Sequence, residues 1–165
     1  QVTGQHDLAQ KQGEKAAKVL EAALANRNPK PSDLYLVGRL YFRLGAVYAV
    51  QNKEHAAAVK YFDKAIPLLE QASTGVSKSS WLRLGETFVS MGFSYWESGQ
   101  REQAVALTQK GLALMEQAVQ SGLAQDSVLD IPRTNLRAMR QSLDKMAKRE
   151  SGPRESAHSL QPSQR

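Results

Sequence analysis

Residues Tyr41 to Tyr48 read YFRLGAVY, and residues Phe88 to Tyr95 read FVSMGFSY. Each stretch runs aromatic, two residues, a large apolar residue, glycine, two residues, tyrosine, so that Leu44-Gly45 and Met91-Gly92 hold equivalent places. Downstream of each lies a second ladder: Ala58, Phe62 and Ala65 in the first copy, Ala104, Thr108 and Gly111 in the second. Both ladders step by four and then three, which keeps their residues on one helix face. A glycine or alanine at a helix crossing lets the partner helix approach closely, and a tyrosine two turns away fills the wedge where the pair opens. Each copy therefore reads as two antiparallel helices joined by a turn.

Composition agrees with a helical class. The chain has 165 residues, enough for one domain with a core, and its abundant residues are Ala, Leu, Gln, Glu, Lys and Arg, which lose little on entering a helix. The expected fold is all-α. With no cysteine, disulfides, thiolate catalysis and cysteine-ligated zinc or iron-sulfur sites are excluded. No run of about 18 apolar residues is present, so no membrane span is expected. No secretory apolar segment is seen either, and the expected compartment is cytoplasmic. Gln1 stands where an initiator methionine would, which points to a processed product or an excised domain. The formal charge is +6, half of the excess arises from Asp126 onward, and no block of five or six like charges occurs. That pattern reads as a solvated basic surface.

The paired motifs resemble the tetratricopeptide repeat, whose pattern is W-x2-L-G-x2-Y, then A-x3-F and a closing proline. The resemblance covers about residues 39 to 117. The second copy keeps the nine-residue step from Tyr95 to Ala104, with Gly99 in the turn, whereas Tyr48 to Ala58 is one residue longer. Thr108 departs from the family aromatic, and Pro67 arrives early. The period exceeds the usual length of about 34 residues, so helices or connections are extended. The resemblance implies an α-solenoid of antiparallel helix pairs with about six helices, near 6–26, 33–51, 54–72, 78–98, 101–121 and 131–149.

The expected organisation is an N-terminal helix in 1–30, repeats in 31–75 and 76–122, a C-terminal capping helix in 123–150 and a disordered tail in 151–165. Ala16, Leu20 and Ala23 repeat the four-then-three step, with Pro29 following, so the first helix reads as the second helix of a preceding repeat. Ser32 is the expected N-cap of the next helix, and Pro67 is expected to kink or end the third. In the last helix, Leu136, Met139, Leu143 and Met146 form one apolar stripe, opposite Arg133, Arg137, Arg140, Lys145 and Lys148. A helix with one apolar face is what the end of a solenoid requires.

Catalytic signals are poor. His6, His55 and His158 are far apart, and His55, at a helix start, reads as solvated. No zinc-protease motif, phosphate-binding glycine loop, dinucleotide fingerprint or nucleophile elbow is present. Glu97 and Glu102 flank a turn and read as exposed. No enzyme activity, catalytic residue, metal or cofactor is expected.

What remains is surface. In the family, the first helices of the repeats line a concave groove. Counted from the motif, its residues here are Arg39, Phe42, Ala46 and Ala49 in the first copy and Glu86, Val89, Phe93 and Trp96 in the second. The resemblance therefore implies a protein-protein interaction module that binds a peptide or helix of a protein partner, with Phe42, Phe93 and Trp96 as anchors. If the groove is covered by the chain's own helices, Phe93 and Trp96 are core instead. Tyr41, Tyr48, Phe88 and Tyr95 are assigned to core, and Trp81 also reads as core. Some members grip a terminal carboxylate with groove Lys and Asn. Phe42, Ala46, Val89 and Phe93 hold those places here and cannot make such bonds. Two alternatives stand beside this reading. One is nucleic-acid binding through the basic last helix, disfavoured by the lack of interleaved aromatics. The other is a structural spacer or homo-oligomer.

Overall fold

The structure, a computed structural model, describes residues 2–25 and 28–150. It contains six α-helices and, among the described residues, no strand. These are α1 (Val2–Ala25), α2 (Pro31–Val47), α3 (His55–Ser73), α4 (Trp81–Glu97), α5 (Arg101–Gln120) and α6 (Asp130–Glu150). The expected tail, 151–165, and His158 lie outside the described residues.

The most extensive contacts are α4 with α5 and α2 with α3. These two hairpins stack through α3 and α4, α1 packs on α2, and α6 packs on α5. Each helix thus meets its neighbours in chain order, as in a solenoid of antiparallel pairs. The ladders anticipated from spacing are buried: Ala58, Phe62, Ala65, Ala104 and Thr108 are at most 1% exposed, and Gly111 is buried with them.

Glycine sets the distance between the helices of each pair. A Cβ on Gly45 would stand 2.9 Å from the Ala58 carbonyl oxygen, and one on Gly92 would stand 3.0 Å from the Ala104 carbonyl oxygen. Backbone atoms cannot yield as a side-chain tip can, so any larger residue forces the pair apart. Gly38 and Gly85, two turns upstream, form a second such pair, against Leu69 and Ala65 and against Met115 and Gly111.

The two hairpins fill the crossing differently. In the first, Phe42 stacks on buried Phe62 with centroids 5.8 Å apart. In the second, Val89 and Thr108 take those places, and the Thr108 hydroxyl donates to the Ala104 carbonyl at 2.8 Å. Thr108 is tolerated at full burial because that bond satisfies its only polar group.

The turns differ too. α4 ends with Gly99 in the left-handed region at φ +88. The Gln100 N–H reaches the Tyr95 carbonyl at 2.9 Å and the Gly99 N–H reaches Trp96 at 3.1 Å, the paired bonds of a Schellman cap. α2 instead passes into a π-helical turn at Tyr48–Asn52, and Lys53 takes the left-handed position at φ 55. The Glu54 N–H then reaches back to Tyr48 at 3.0 Å. The extra residue seen in the sequence is absorbed as one wider turn.

Four expectations are corrected. α2 begins at Pro31, with Lys30 rather than Ser32 at the N-cap. Asp33 accepts the Lys30 N–H at 3.2 Å, and Pro31 fits the first helical position, where no donor is needed. Of the two outcomes expected at Pro67, a kink or an early end, the early end is overturned, because α3 continues to Ser73. Pro67 is exposed, so the carbonyl that loses its partner can be hydrated. In α1, Ala16, Leu20 and Ala23 are exposed, and the face on α2 is Gly13, Ala17 and Leu24. The four-then-three step marks a face but does not say which face has a neighbour. A Cβ on Gly13 would stand 2.9 Å from Leu44, which places the close approach one turn earlier than expected. Finally, Trp81 is only half-buried, with the Lys78 ammonium 5.7 Å from its ring centroid.

At the C-terminal end the expected stripe holds. Leu136 and Met139 are buried, and Leu143 and Met146 are half-buried. Arg137, Arg140, Lys145 and Lys148 are exposed, while Arg133 pairs with Glu116 at 3.2 Å and Asp126 at 3.4 Å.

Candidate functional site

The tyrosines of the motif are structural. Tyr41 and Tyr95 are 3% and 1% exposed, and each donates its hydroxyl to a carboxylate on a preceding helix. Tyr41 donates to Glu21 of α1 at 2.5 Å, and Tyr95 donates to Asp63 of α3. Tyr48 is half-buried in the π turn and stacks on Tyr61 at 5.3 Å, whose hydroxyl donates to Glu14 of α1. Burial, and then the accepting carboxylate, push the hydroxyls of Tyr41, Tyr61 and Tyr95 well above the ordinary tyrosine range. These bonds pin α2 and α3 onto α1, and α4 onto α3.

The residues singled out for a groove recur along α2, the π turn that holds Ala49, and α4. Arg39, Phe42, Ala46 and Ala49 are half-buried, as are Val89 and Trp96, while Glu86 and Phe93 are exposed. Their surroundings differ. Phe42 turns its ring onto Phe62 and lies against the core. Val89 packs with Leu112 and Met115. Trp96 lies against the core with the Arg101 guanidinium 5.5 Å from its ring centroid. Phe93 is 50% exposed, so it is not a core residue.

Phe93 is nevertheless held. His55 at the start of α3 meets it edge to face at 5.6 Å, and His55 Nδ1 shares a 3.2 Å hydrogen bond with Ser94 Oγ. Ser94 is buried, so this bond fixes the imidazole against α4. The expectation of a solvated His55 is therefore corrected. No signal in the sequence pairs a helix start with a residue so distant along the chain.

Arg39 is held in a similar way. Its Nη1 donates to Thr87 Oγ1 at 3.3 Å, tying α2 to α4. Its guanidinium carbon lies 5.9 Å from the Tyr35 centroid and 6.0 Å from that of Phe42. Thr87 is buried and donates onward to the Arg83 carbonyl at 2.8 Å. Arg39 borders an open cavity of about 560 Å³ between α2 and α4, whose walls also carry Tyr35, Leu36, Leu40, Arg43 and Arg83. Arg43 and Arg83 escape sequence reasoning because they converge only through tertiary structure.

Among the described residues no helix is long and apolar enough to cross a membrane, and no group of three or more His, Asp or Glu side chains has the placement to hold a metal ion. No curated protein and no solved structure matches the chain. The family pattern of the tetratricopeptide repeat matches residues 38–68, which span most of α2, the π turn and α3 as far as Leu68. The matched stretch includes Tyr41, Leu44-Gly45, Tyr48, Ala58 and Phe62, the residues whose spacing first pointed to that repeat.

Proposed function

We propose that this protein is a non-enzymatic protein-protein interaction module that binds a peptide or helix of a partner across the face formed by α2 and α4. The tetratricopeptide repeat in the first hairpin supports the class, because such repeats commonly serve as interaction surfaces. The observation that carries the site is Phe93, a large aromatic half exposed to water yet clamped by His55. A rigid exposed ring loses little conformational freedom on binding, which favours it as an anchor. Trp96, one turn away, extends the apolar surface, and Glu86 and Arg39 are the orienting charges. On this reading α1 takes the place of the second helix of a preceding repeat. It packs on α2 as α3 packs on α4, and it likewise supplies carboxylates to tyrosines of the next pair.

The test is retention of a partner from lysate by wild type and by Phe93→Ala/Trp96→Ala, at low and moderate salt. A protein held by wild type at both salts and lost from the double variant supports the reading. A partner, or nucleic acid, released by salt and indifferent to the substitutions contradicts it and moves binding to the basic α6.

A further inference from the structure

Arg39, Arg43 and Arg83 converge on the cavity between α2 and α4, and none of the ion pairs among the described residues involves them. One carboxylate, Asp33, lies on the cavity wall, and one of its oxygens accepts the Lys30 N–H. Three cations against one anion leave a positive excess inside a concave surface, where field lines concentrate. Arg39 is oriented by Thr87 and two rings, while Arg43 and Arg83 are exposed and free to adjust. Arginine in such a fork grips carboxylates through paired hydrogen bonds.

The remaining wall is apolar. Leu36 is 60% exposed and stands between Tyr35 and Leu40. Beyond Leu36 a second cavity of about 380 Å³ is bordered by Leu20, Leu24 and Val37. The two cavities share Asp33 and Leu36, and the second also carries Asn28 and Lys30, so the exposed Leu36 side chain is an apolar ridge between two basins that both hold charge. The ridge favours a guest that also carries apolar surface, because a simple polyanion would leave Leu36 uncovered.

We propose that the α2–α4 basin binds a partner segment in which an acidic side chain lies beside a large apolar one, with the carboxylate on Arg43 and Arg83 and the apolar group over Leu36. This deepens the reading of the α2–α4 face as the partner surface and rests on it, and its anchors Arg43, Arg83 and Leu36 lie outside the eight groove positions. The test is selection of phage-displayed dodecapeptides on the full chain. The selected peptides are then titrated against wild type, Arg43→Glu/Arg83→Glu and Phe93→Ala/Trp96→Ala by fluorescence anisotropy. Both arginines are exposed, so their reversal leaves the fold intact; circular dichroism checks this. The expected result is enrichment of Asp or Glu beside Leu or Phe, with about tenfold or greater weakening in the arginine variant. Peptides without acidic residues, or with unchanged affinity in that variant, overturn the basin assignment. If those same peptides are lost in the aromatic variant, the groove reading survives alone. A single-stranded oligonucleotide that binds wild type more tightly than any selected peptide, and is released by the arginine reversal, also overturns it in favour of nucleic acid.

Discussion

The two hairpins of this protein solve one packing problem with different residues. Both bring a glycine of the first helix against a carbonyl of the second, Gly45 on Ala58 and Gly92 on Ala104. Around that shared crossing the first hairpin is bulky and irregular, with the Phe42–Phe62 stack, a π turn and Lys53 in a left-handed conformation. The second is small and regular, with Val89, Thr108 and Gly99 at the corresponding places. The family pattern falls on the first hairpin, although its turn is the distorted one. A repeat is thus defined physically by the glycine crossing. The aromatic of the first hairpin, which lies within the matched stretch, is one of two ways to fill the space beside it.

The largest expected effect of that difference is at the filler position. Phe62→Ala leaves a ring-sized void in the first hairpin and is expected to cost about 3–5 kcal/mol. Thr108→Ala removes a methyl and a hydroxyl bonded within its own helix, for about 1 kcal/mol. Urea unfolding of both variants measures the contrast, and equal losses would erase the distinction between the two solutions.

The crossing itself should respond alike in both copies. Gly45→Ala and Gly92→Ala are each expected to lose about 1–3 kcal/mol, because the added Cβ meets backbone. A neutral result at either site would mean that its pair opens freely, and thermal unfolding decides between these outcomes.

Opposite signs are expected at the turns. Lys53→Gly relieves a left-handed lysine and should stabilise by up to about 1 kcal/mol, whereas Gly99→Ala introduces the same strain and should destabilise by about 1 kcal/mol. Matching signs in calorimetry would show that the π turn, rather than the residue, sets the backbone there.

The smallest effect sharpens the tyrosine pins. Tyr95→Phe removes the hydroxyl donated to Asp63, which is itself exposed, and should cost about 1 kcal/mol near neutral pH. Burial and that carboxylate hold the native hydroxyl above its ordinary range. The unfolded chain therefore releases the proton first, near pH 10. The stabilising contribution is complete below about pH 10 and is lost as pH rises further. Denaturant midpoints measured from about pH 8 upward should fall less steeply in Tyr95→Phe than in wild type.

Much of this architecture was legible in the chain. The repeated aromatic, glycine and tyrosine spacing placed α2 to α5, and the stripe from Leu136 to Met146 placed α6. The extra residue between Tyr48 and Ala58 was visible in the sequence, but not that a π turn would absorb it. Gly38 and Gly85 carried the same periodic signal as Gly45 and Gly92 and were legible in principle. The exposed ladder of α1 was misread because periodicity reports a face, and only tertiary packing says which face is covered. At the candidate site, Phe93 and Trp96 were expected from the family resemblance, counted from its motif. The His55 clamp and the convergence of Arg39, Arg43 and Arg83 were not, because each joins residues from separate helices whose register no local pattern encodes.

The claim that binding uses the α2–α4 face is tested most directly by hydroxyl-radical footprinting of the protein alone and with its captured partner. The account predicts that Phe93 and Leu36, both well exposed in the free chain, lose reactivity when the partner binds. Unchanged reactivity at both positions, with protection confined to exposed Ile131 on α6, would contradict it.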